Sequence, residues 1–278
     1  MGTWIDWDNP KTFSEKIQWL KIYNRCPEYI KMVDKHAVKE FVADVIGKKY
    51  IIPTLGLWES AEEISWNSLP DQFVLKTTHG GGSCGVVICR DKNSLDIPNA
   101  VSKLTKSLKR DKIYATLREW PYKGVPPCII AEQFISPSVL SQQSDLIDYK
   151  FFCFNGEPLY CQVIRDRRTN ETIDFYDMEW NHQEFVGLNP PVHLTMSKMV
   201  RNGDIPVERP EKLDEMKDIC QKLSKDIPFI RVDLYVVDNH VYFGELTFFP
   251  ASGFGSFTPE IWQYKLGELI QIPSIKKI

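Results

Sequence analysis

The chain has 278 residues, with 34 Lys and Arg against 37 Asp and Glu and a formal net charge of −3. With 43% hydrophobic, 12% aromatic and 26% charged residues, it has the make-up of a globular protein large enough for one big domain or two lobes, each with a core. The charge balance points to neither nucleic acid nor an anionic membrane as partner. No apolar run approaches the about 18 residues that span a bilayer, so membrane insertion is not expected. The opening "MGTWIDWDNPKTF" lacks the regions of a signal peptide, and Asp6 stands where a myristoylation signal needs Ser or Thr. Seven cysteines sit singly, without a CxxC pair. That pattern argues against zinc and suits reduced thiols in a cytoplasmic protein.

In chain order, the first stretch reads as helical. Thr12 and Glu15 in "TFSEKIQWL" make a capping-box pattern, with Phe13, Ile17 and Leu20 on one face. Asp34 stands ready to cap "KHAVKEFVADVI", which Gly47 stops. After "YIIP" the period changes. "FVLKTT" and "GVVIC" read as strands around a glycine loop, "PNAVSKLTKSLKR" as a helix and "CIIAEQFI" as a short strand that crosses between lobes. "DYKFFCFNGEPLYCQVIRD" is a hairpin turning at Asn155-Gly156. "ETIDFYDMEW" is the next strand, Asn189 to Pro191 a loop, and "RPEKLDEMKDICQKLSKDI" an amphipathic helix. "FIRVDLYVVDNHVYFGELTFF" is a second hairpin turning near Asp238-Asn239. "SGFGSF" is a loop, and "TPEIWQYKLGELI" a last helix with Thr258 as cap and Pro259 in its first turn. Antiparallel hairpins mixed with helices predict an α+β fold.

The stretch "FVLKTTHGGGSCGVVIC" can be compared with three phosphate-binding designs. A Walker A loop places lysine after the glycines and a helix next; a Rossmann loop has GxGxxG between strand and helix. Here Lys76 precedes Gly80, Gly81 and Gly82, and a strand follows. The remaining design is a hairpin whose tip closes over a nucleotide, its backbone N–H groups free to approach phosphate. A solvated surface hairpin is the competing reading.

The second hairpin supplies a partner. Arg231 and Asp233 share a strand face, as do Glu245 and Thr247 on the returning strand. A three-residue turn, or a bulge, sets Asp233 opposite Glu245; a strict two-residue turn pairs Asp233 with Gly244 and sends Glu245 to the other face. Two converging carboxylates suit Mg²⁺, which takes its other oxygens from substrate phosphates, and Arg231 could steady a transferring phosphoryl group. A cross-strand salt-bridge cluster is the alternative.

The ordered set "VDKHAVKEFV", "FVLKTTHGGGS", "AEQFI", "DYKFFCFNGEP" and "RVDLYVVDNHVYFGELTFFPASGFGSFTP" resembles the ATP-grasp superfamily, and within it the TupA-like branch, from about Phe13 to Pro259. The resemblance implies two lobes gripping ATP and Mg²⁺: a helical segment 1–48, a lobe 49–134 carrying the glycine lid, and a lobe 135–278 carrying the metal site. It implies attack of a carboxylate on the γ-phosphate and capture of the acylphosphate by an amine, acting on a small-molecule or glycan carboxylate of a surface-polysaccharide precursor. Lys35 and Lys76 match the phosphate-facing lysines, and His79, Gly80, Gly81, Gly82 and Ser83 the lid. Glu132, Gln133 and Phe134 match the hinge whose backbone meets adenine. Asp233 and Glu245 match the metal carboxylates, Arg231 the arginine near the transferred group, and Lys150 faces phosphate or substrate. Asp145 and Asp148 are candidates for the ribose. Many relatives end the metal motif Glu-x-Asn; here Thr247 takes the last place, a weaker ligand for a second Mg²⁺. A phosphotransferase acting on a sugar hydroxyl is the alternative chemistry, although no HRD or DFG kinase pattern occurs.

Arg165, Arg167 and Arg168 could bind a substrate anion or form a solvated hairpin end. His182, His193 and His240 read as loop or turn residues. Trp4, Trp7, Trp19, Trp58 and Trp66 read chiefly as packing groups.

Overall fold

The structure is a computed structural model that describes residues 4–81, 85–109, 112–136, 146–165, 171–189 and 201–274. The helices are α1 Phe13–Tyr23, α2 Glu28–Val33, α3 Val38–Ile46, α4 Ile97–Leu108, α5 Lys112–Leu117, α6 Leu213–Ser224 and α7 Ile261–Leu269. The strands are β1 Thr54–Trp58, β2 Phe73–Thr77, β3 Val86–Cys89, β4 Ile129–Gln133, β5 Asp148–Phe154, β6 Glu157–Arg165, β7 Thr172–Asp177, β8 His182–Gln183, β9 Val186–Asn189, β10 Phe229–Val237, β11 His240–Thr247 and β12 Ser256–Thr258. The fold is α+β, and its paired strands run antiparallel.

Two compact units result, one from Cys26–Ser136 and one from Met1–Arg25 with Pro137–Ile278. The helical stretch expected over 1–48 is thus shared between them. Its first helix is drawn to the second unit by packing: Phe13 sets its ring edge-on to Phe229 and Phe257, with centroids 5.1 and 5.5 Å apart.

In the unit Cys26–Ser136, the sheet order is β1-β4-β2-β3. Alternation sends Phe73, Leu75, Val87, Cys89, Ile129 and Ala131 into a core closed by Ala100 and Leu104 of α4. The opposite face carries Val74, Lys76, Val86, Ile88, Ile130 and Glu132, paired as Val74 with Ile88 and Glu132, and Lys76 with Val86 and Ile130. The predicted strands at Phe73, Val86 and Ile129 are therefore all present. β1 escapes sequence reading because "TLGLW" is short and glycine-interrupted.

The other unit holds a six-stranded sheet, β11-β10-β5-β6-β7-β8, and a two-stranded ribbon, β12-β9. α6 packs on β10, β6 and β5, burying Leu213, Met216, Ile219, Cys220 and Leu223. α1 packs on α7, and an aromatic cluster of Phe13, Phe152, Phe154, Phe175, Phe185, Phe229 and Phe257 is almost fully buried, each ring worth about 2–3 kcal/mol of transfer free energy. The capping box of α1 forms as expected, Glu15 N donating to Thr12 Oγ1 at 3.2 Å and Thr12 N to Glu15 Oε2 at 2.9 Å. Both hairpins turn where expected: Asn155 and Gly156 have φ of 52° and 90°, Asp238 and Asn239 of 48° and 61°. Two expectations near the end do not hold. "SGFGSF" is not wholly loop, since β12 begins at Ser256, and Thr258 ends that strand instead of capping α7, which starts at Ile261. Pro190 and Pro191 lie outside the described residues.

Candidate active site

β11 returns from β10 through a two-residue turn, with Val237 opposite His240 and Leu234 opposite Phe243. Continued unchanged, that register would send Glu245 to the core face. Gly244 is instead bulged out, and Asp233 then faces Glu245 while Arg231 faces Thr247. Glycine is required there, because a Cβ would lie 2.8 Å from Tyr235 Cε2 and 3.0 Å from the Asp233 carbonyl.

The bulge brings Glu245 and Thr247 to the sheet face that carries Arg231, Asp233, Lys150 and Asp148. Arg231 grips Asp233 with a fork, Nε to Oδ1 and Nη2 to Oδ2, both 2.7 Å. Its Nη2 also donates to Glu245 Oε1 at 3.3 Å and Thr247 Oγ1 at 3.0 Å. On β5, Lys150 lies opposite Asp233; its ammonium contacts Asp233 Oδ2, and Asp148 Oδ2 at 2.9 Å. The Asp233 side chain is 0% exposed and that of Glu245 40%. Burial, with Glu245 and Asp148 adding to it, pushes the Asp233 carboxyl up to about 6 against the pull of Arg231 and Lys150. Burial disfavours the Arg231 charge, but Asp233 outweighs it and holds the guanidinium firmly cationic.

Among the described residues no three His, Cys, Asp or Glu side chains cluster to hold a metal. The donors present are two facing carboxylates and a hydroxyl, hard oxygens that fit Mg²⁺ completed by phosphate, and not zinc.

In the unit Cys26–Ser136, Glu132 lies between two lysines. Lys39 Nζ is 2.6 Å from its Oε1 and Lys76 Nζ 2.6 Å from its Oε2. Burial works against the Glu132 charge, yet Lys76 and Lys39 outweigh it and hold the carboxyl below its usual range. Burial lowers the Lys39 ammonium despite Glu132. Lys39 also donates to the Ile52 carbonyl at 2.8 Å and Thr54 Oγ1 at 3.0 Å. Sequence reading missed Lys39. The signal was present, since it stands one helical turn beyond Lys35, in a stretch already singled out.

Lys35 occupies another position. Its ammonium donates to the Gly80 carbonyl and its N–H to the Thr78 carbonyl at 3.2 Å, so it braces the base of the glycine loop. His79, next to Gly80 in sequence, is buried. Gly80 and Gly85 both pass over the Thr77 hydroxyl so closely that a Cβ on either would collide with it. Thr77 Oγ1 is in turn 2.9 Å from Ser107 Oγ. Gly81 begins the loop tip; Gly82 and Ser83 lie outside the described residues. Gln133 N donates to the Pro53 carbonyl at 3.0 Å, and the Arg90 guanidinium sits 5.0 Å from the Phe134 ring centre. Gln133, Phe134, Arg90 and Leu55 border an open pocket of about 770 Å³.

Several of the remaining candidates have partners of their own. Arg165 pairs with fully buried Asp174 at 3.0 Å, as does His182 Nε2 at 2.9 Å. Asp145, Arg167, Arg168 and His193 lie outside the described residues. His240 packs edge-on to Tyr242. Trp19 is buried, Trp58 and Trp66 back the core of the four-stranded sheet, Trp7 meets Tyr23, and Trp4 is 99% exposed.

A family model described as TupA-like ATPgrasp matches residues 15–271. Among solved structures, D-alanine–D-alanine ligase from Bacillus anthracis in complex with ATP is 16% identical over 78% of this chain and 53% of its own, with a TM-score of 0.41. D-alanine–D-alanine ligase from Helicobacter pylori is 14% identical over 94% of this chain and 67% of its own, TM-score 0.48. The ATP-grasp ligase PsnB with a minimal precursor is 11% identical over 84% and 59%, TM-score 0.44. The chain thus spans about half the length of the first of these. No curated protein matches it significantly.

Proposed function

Because the chain belongs to the TupA-like ATP-grasp family, with the ATP-grasp fold and an ATP-dependent ligase ancestry, we propose that it is an ADP-forming carboxylate–amine ligase. The observation that supports this most is the facing pair Asp233 and Glu245, held by Arg231. These two carboxylates, with Thr247 beside them, would hold Mg²⁺, which draws in the phosphate oxygens and offsets their charge.

The chain's own residues then divide the work. Lys39 and Lys76 are held ready on Glu132 and, with nucleotide bound, share their charge between the phosphates and this buried carboxylate. Val74 and Ile88, beside Glu132 on the open sheet face, offer an apolar surface for the base. Lys35 anchors the loop whose glycines let backbone N–H groups approach phosphate. Arg231 steadies the phosphoryl group as a substrate carboxylate oxygen bonds to the γ-phosphorus and the bond to the β-phosphate oxygen breaks, releasing ADP. The amine nitrogen then attacks the acyl carbon, phosphate departs and the amine loses a proton, giving the amide. The carboxylate is assigned to a surface-polysaccharide precursor, and the amine to an amino acid or amino sugar, by likeness to the family alone. The described cysteines are unpaired thiols, in keeping with a cytoplasmic setting.

Incubation with ATP, Mg²⁺, pooled uronic acids and amino acids, and hydroxylamine tests the proposal. A ligase yields ADP, phosphate and a hydroxamate. A phosphorylated sugar without free phosphate or hydroxamate would make the protein a phosphotransferase and end this reading.

A further inference from the structure

Both oxygens of Asp233 already accept from cationic donors. Oδ1 accepts from Arg231 Nε, while Oδ2 accepts from Arg231 Nη2 and pairs with the Lys150 ammonium. Both lone pairs of Oδ2 are thus engaged, and a divalent cation that binds this fully buried carboxylate through Oδ2 must take the place of one donor. The two donors are unequal. Arg231 sits two residues away on the same strand face, uses a rigid fork, and is pinned further by Glu245 and Thr247. Lys150 holds on by one ammonium at the end of a flexible stem, and it already touches a second carboxylate, Asp148 Oδ2, at 2.9 Å. Asp148 and Lys150 are two apart on β5 and share its face, their partners on β10 being Tyr235 and Asp233.

We infer that Lys150 is a displaceable stand-in for the metal: its ammonium neutralises Asp233 in the metal-free protein, Mg²⁺ evicts it, and Asp148 receives it. Asp148 is on this account a positioning residue, and the inference rests on the reading of Asp233 and Glu245 as metal carboxylates. Arg231 is a single cation among three carboxylates, Asp148, Asp233 and Glu245, and buried carboxylates short of counter-charge are strongly disfavoured, so the metal-free cluster needs a second cation. A lysine meets that need because it can let go. With Asp148 as its second partner, the evicted ammonium stays at the edge of the site instead of leaving for solvent. The ammonium passes wholly to Asp148 only once metal has bound, which imposes an order: metal first, lysine second.

Mn²⁺ binding to the full chain, read by loss of the free-ion EPR signal with a non-hydrolysable ATP analogue present, tests this without turnover. Lys150→Gln should lower the half-saturating Mn²⁺ concentration about five- to tenfold, the scale of a typical coupling between sites. Asp148→Asn should raise it about fivefold, but leave it unchanged in the Lys150→Gln background, where no ammonium needs receiving. Lys150→Arg has the same charge and a fork that does not let go, and should weaken Mn²⁺ binding; it and Asp148→Asn carry the test if Lys150→Gln does not fold. Binding that Lys150→Gln leaves no tighter would overturn the inference. So would equal weakening by Asp148→Asn with and without Lys150, which would make Asp148 a direct ligand. Absence of Mn²⁺ binding in the wild type would overturn the underlying metal-site reading instead.

Discussion

The two charged clusters are built in opposite senses. In the unit Cys26–Ser136, one buried carboxylate, Glu132, is shared by two lysines. In the other unit, Asp148, Asp233 and Glu245 surround Arg231 and Lys150, so carboxylates outnumber cations. The first carries an excess of positive charge, which suits a polyphosphate, and the second an excess of negative charge, which suits a divalent cation. Both clusters are dry at the centre, the Asp233 side chain being 0% and that of Glu132 7% exposed.

The comparison breaks most visibly at Asp233. Asp233→Asn keeps the shape but removes the ligand charge, and should lower kcat for ADP release by about 10²–10³-fold; a wild-type rate would remove Asp233 from the site. Glu132→Gln should act on the free protein instead. Two ammonium groups left facing an amide cost about 2–4 kcal/mol of stability in the absence of nucleotide, and saturating ATP should restore more stability to this variant than to wild type. Thermal melts with and without ATP check this, and equal shifts in both proteins would mean the lysines do not move to phosphate.

The two carboxylates should also answer pH with opposite signs. Glu132 is held below its ordinary value, so the stability it contributes is complete above that value and is lost as pH falls through the folded one. Asp233 is pushed up to about 6, so in the metal-free protein its contribution is complete below the ordinary carboxylate range and is lost as pH rises through about 6. Denaturant unfolding of Glu132→Gln and Asp233→Asn from pH 4 to 8 should show these opposing slopes relative to wild type; parallel curves would contradict the assignment. The smallest effect is expected at Gly244. Gly244→Ala forces a Cβ against Tyr235 and should cost about 1–2 kcal/mol by urea unfolding, with Mg²⁺-dependent nucleotide binding weakened a few-fold.

Much of this was legible in the residues. The lysine-before-glycine order and its strand flanks identified the loop hairpin, and Asn155-Gly156 and Asp238-Asn239 marked both turns. The facing of Asp233 and Glu245 was legible only as a choice between registers, because turn length and bulge are set by packing along the whole hairpin. Lys35 and Lys39 present the same residue type one turn apart, and only the position of Glu132, almost a hundred residues on, tells which meets it. The membership of α1 in the other unit was illegible for the same reason: Phe13 meets Phe229 and Phe257, contacts no local pattern announces.

The bulge at Gly244 has an evolutionary side. Along a strand each residue carries a parity, inward or outward, and one extra residue inverts it for everything downstream. Downstream of Gly244 lie not only Glu245 and Thr247 but also Leu246, which is 2% exposed. Loss of that single residue would therefore turn the carboxylate into the core and Leu246 out of it in one stroke. The proposed metal ligands and the hydrophobic interior are written in the same frame, so a length change that erased the site would unfold the sheet as well. Drift by insertion or deletion is barred here, and the site is open to change only by substitution.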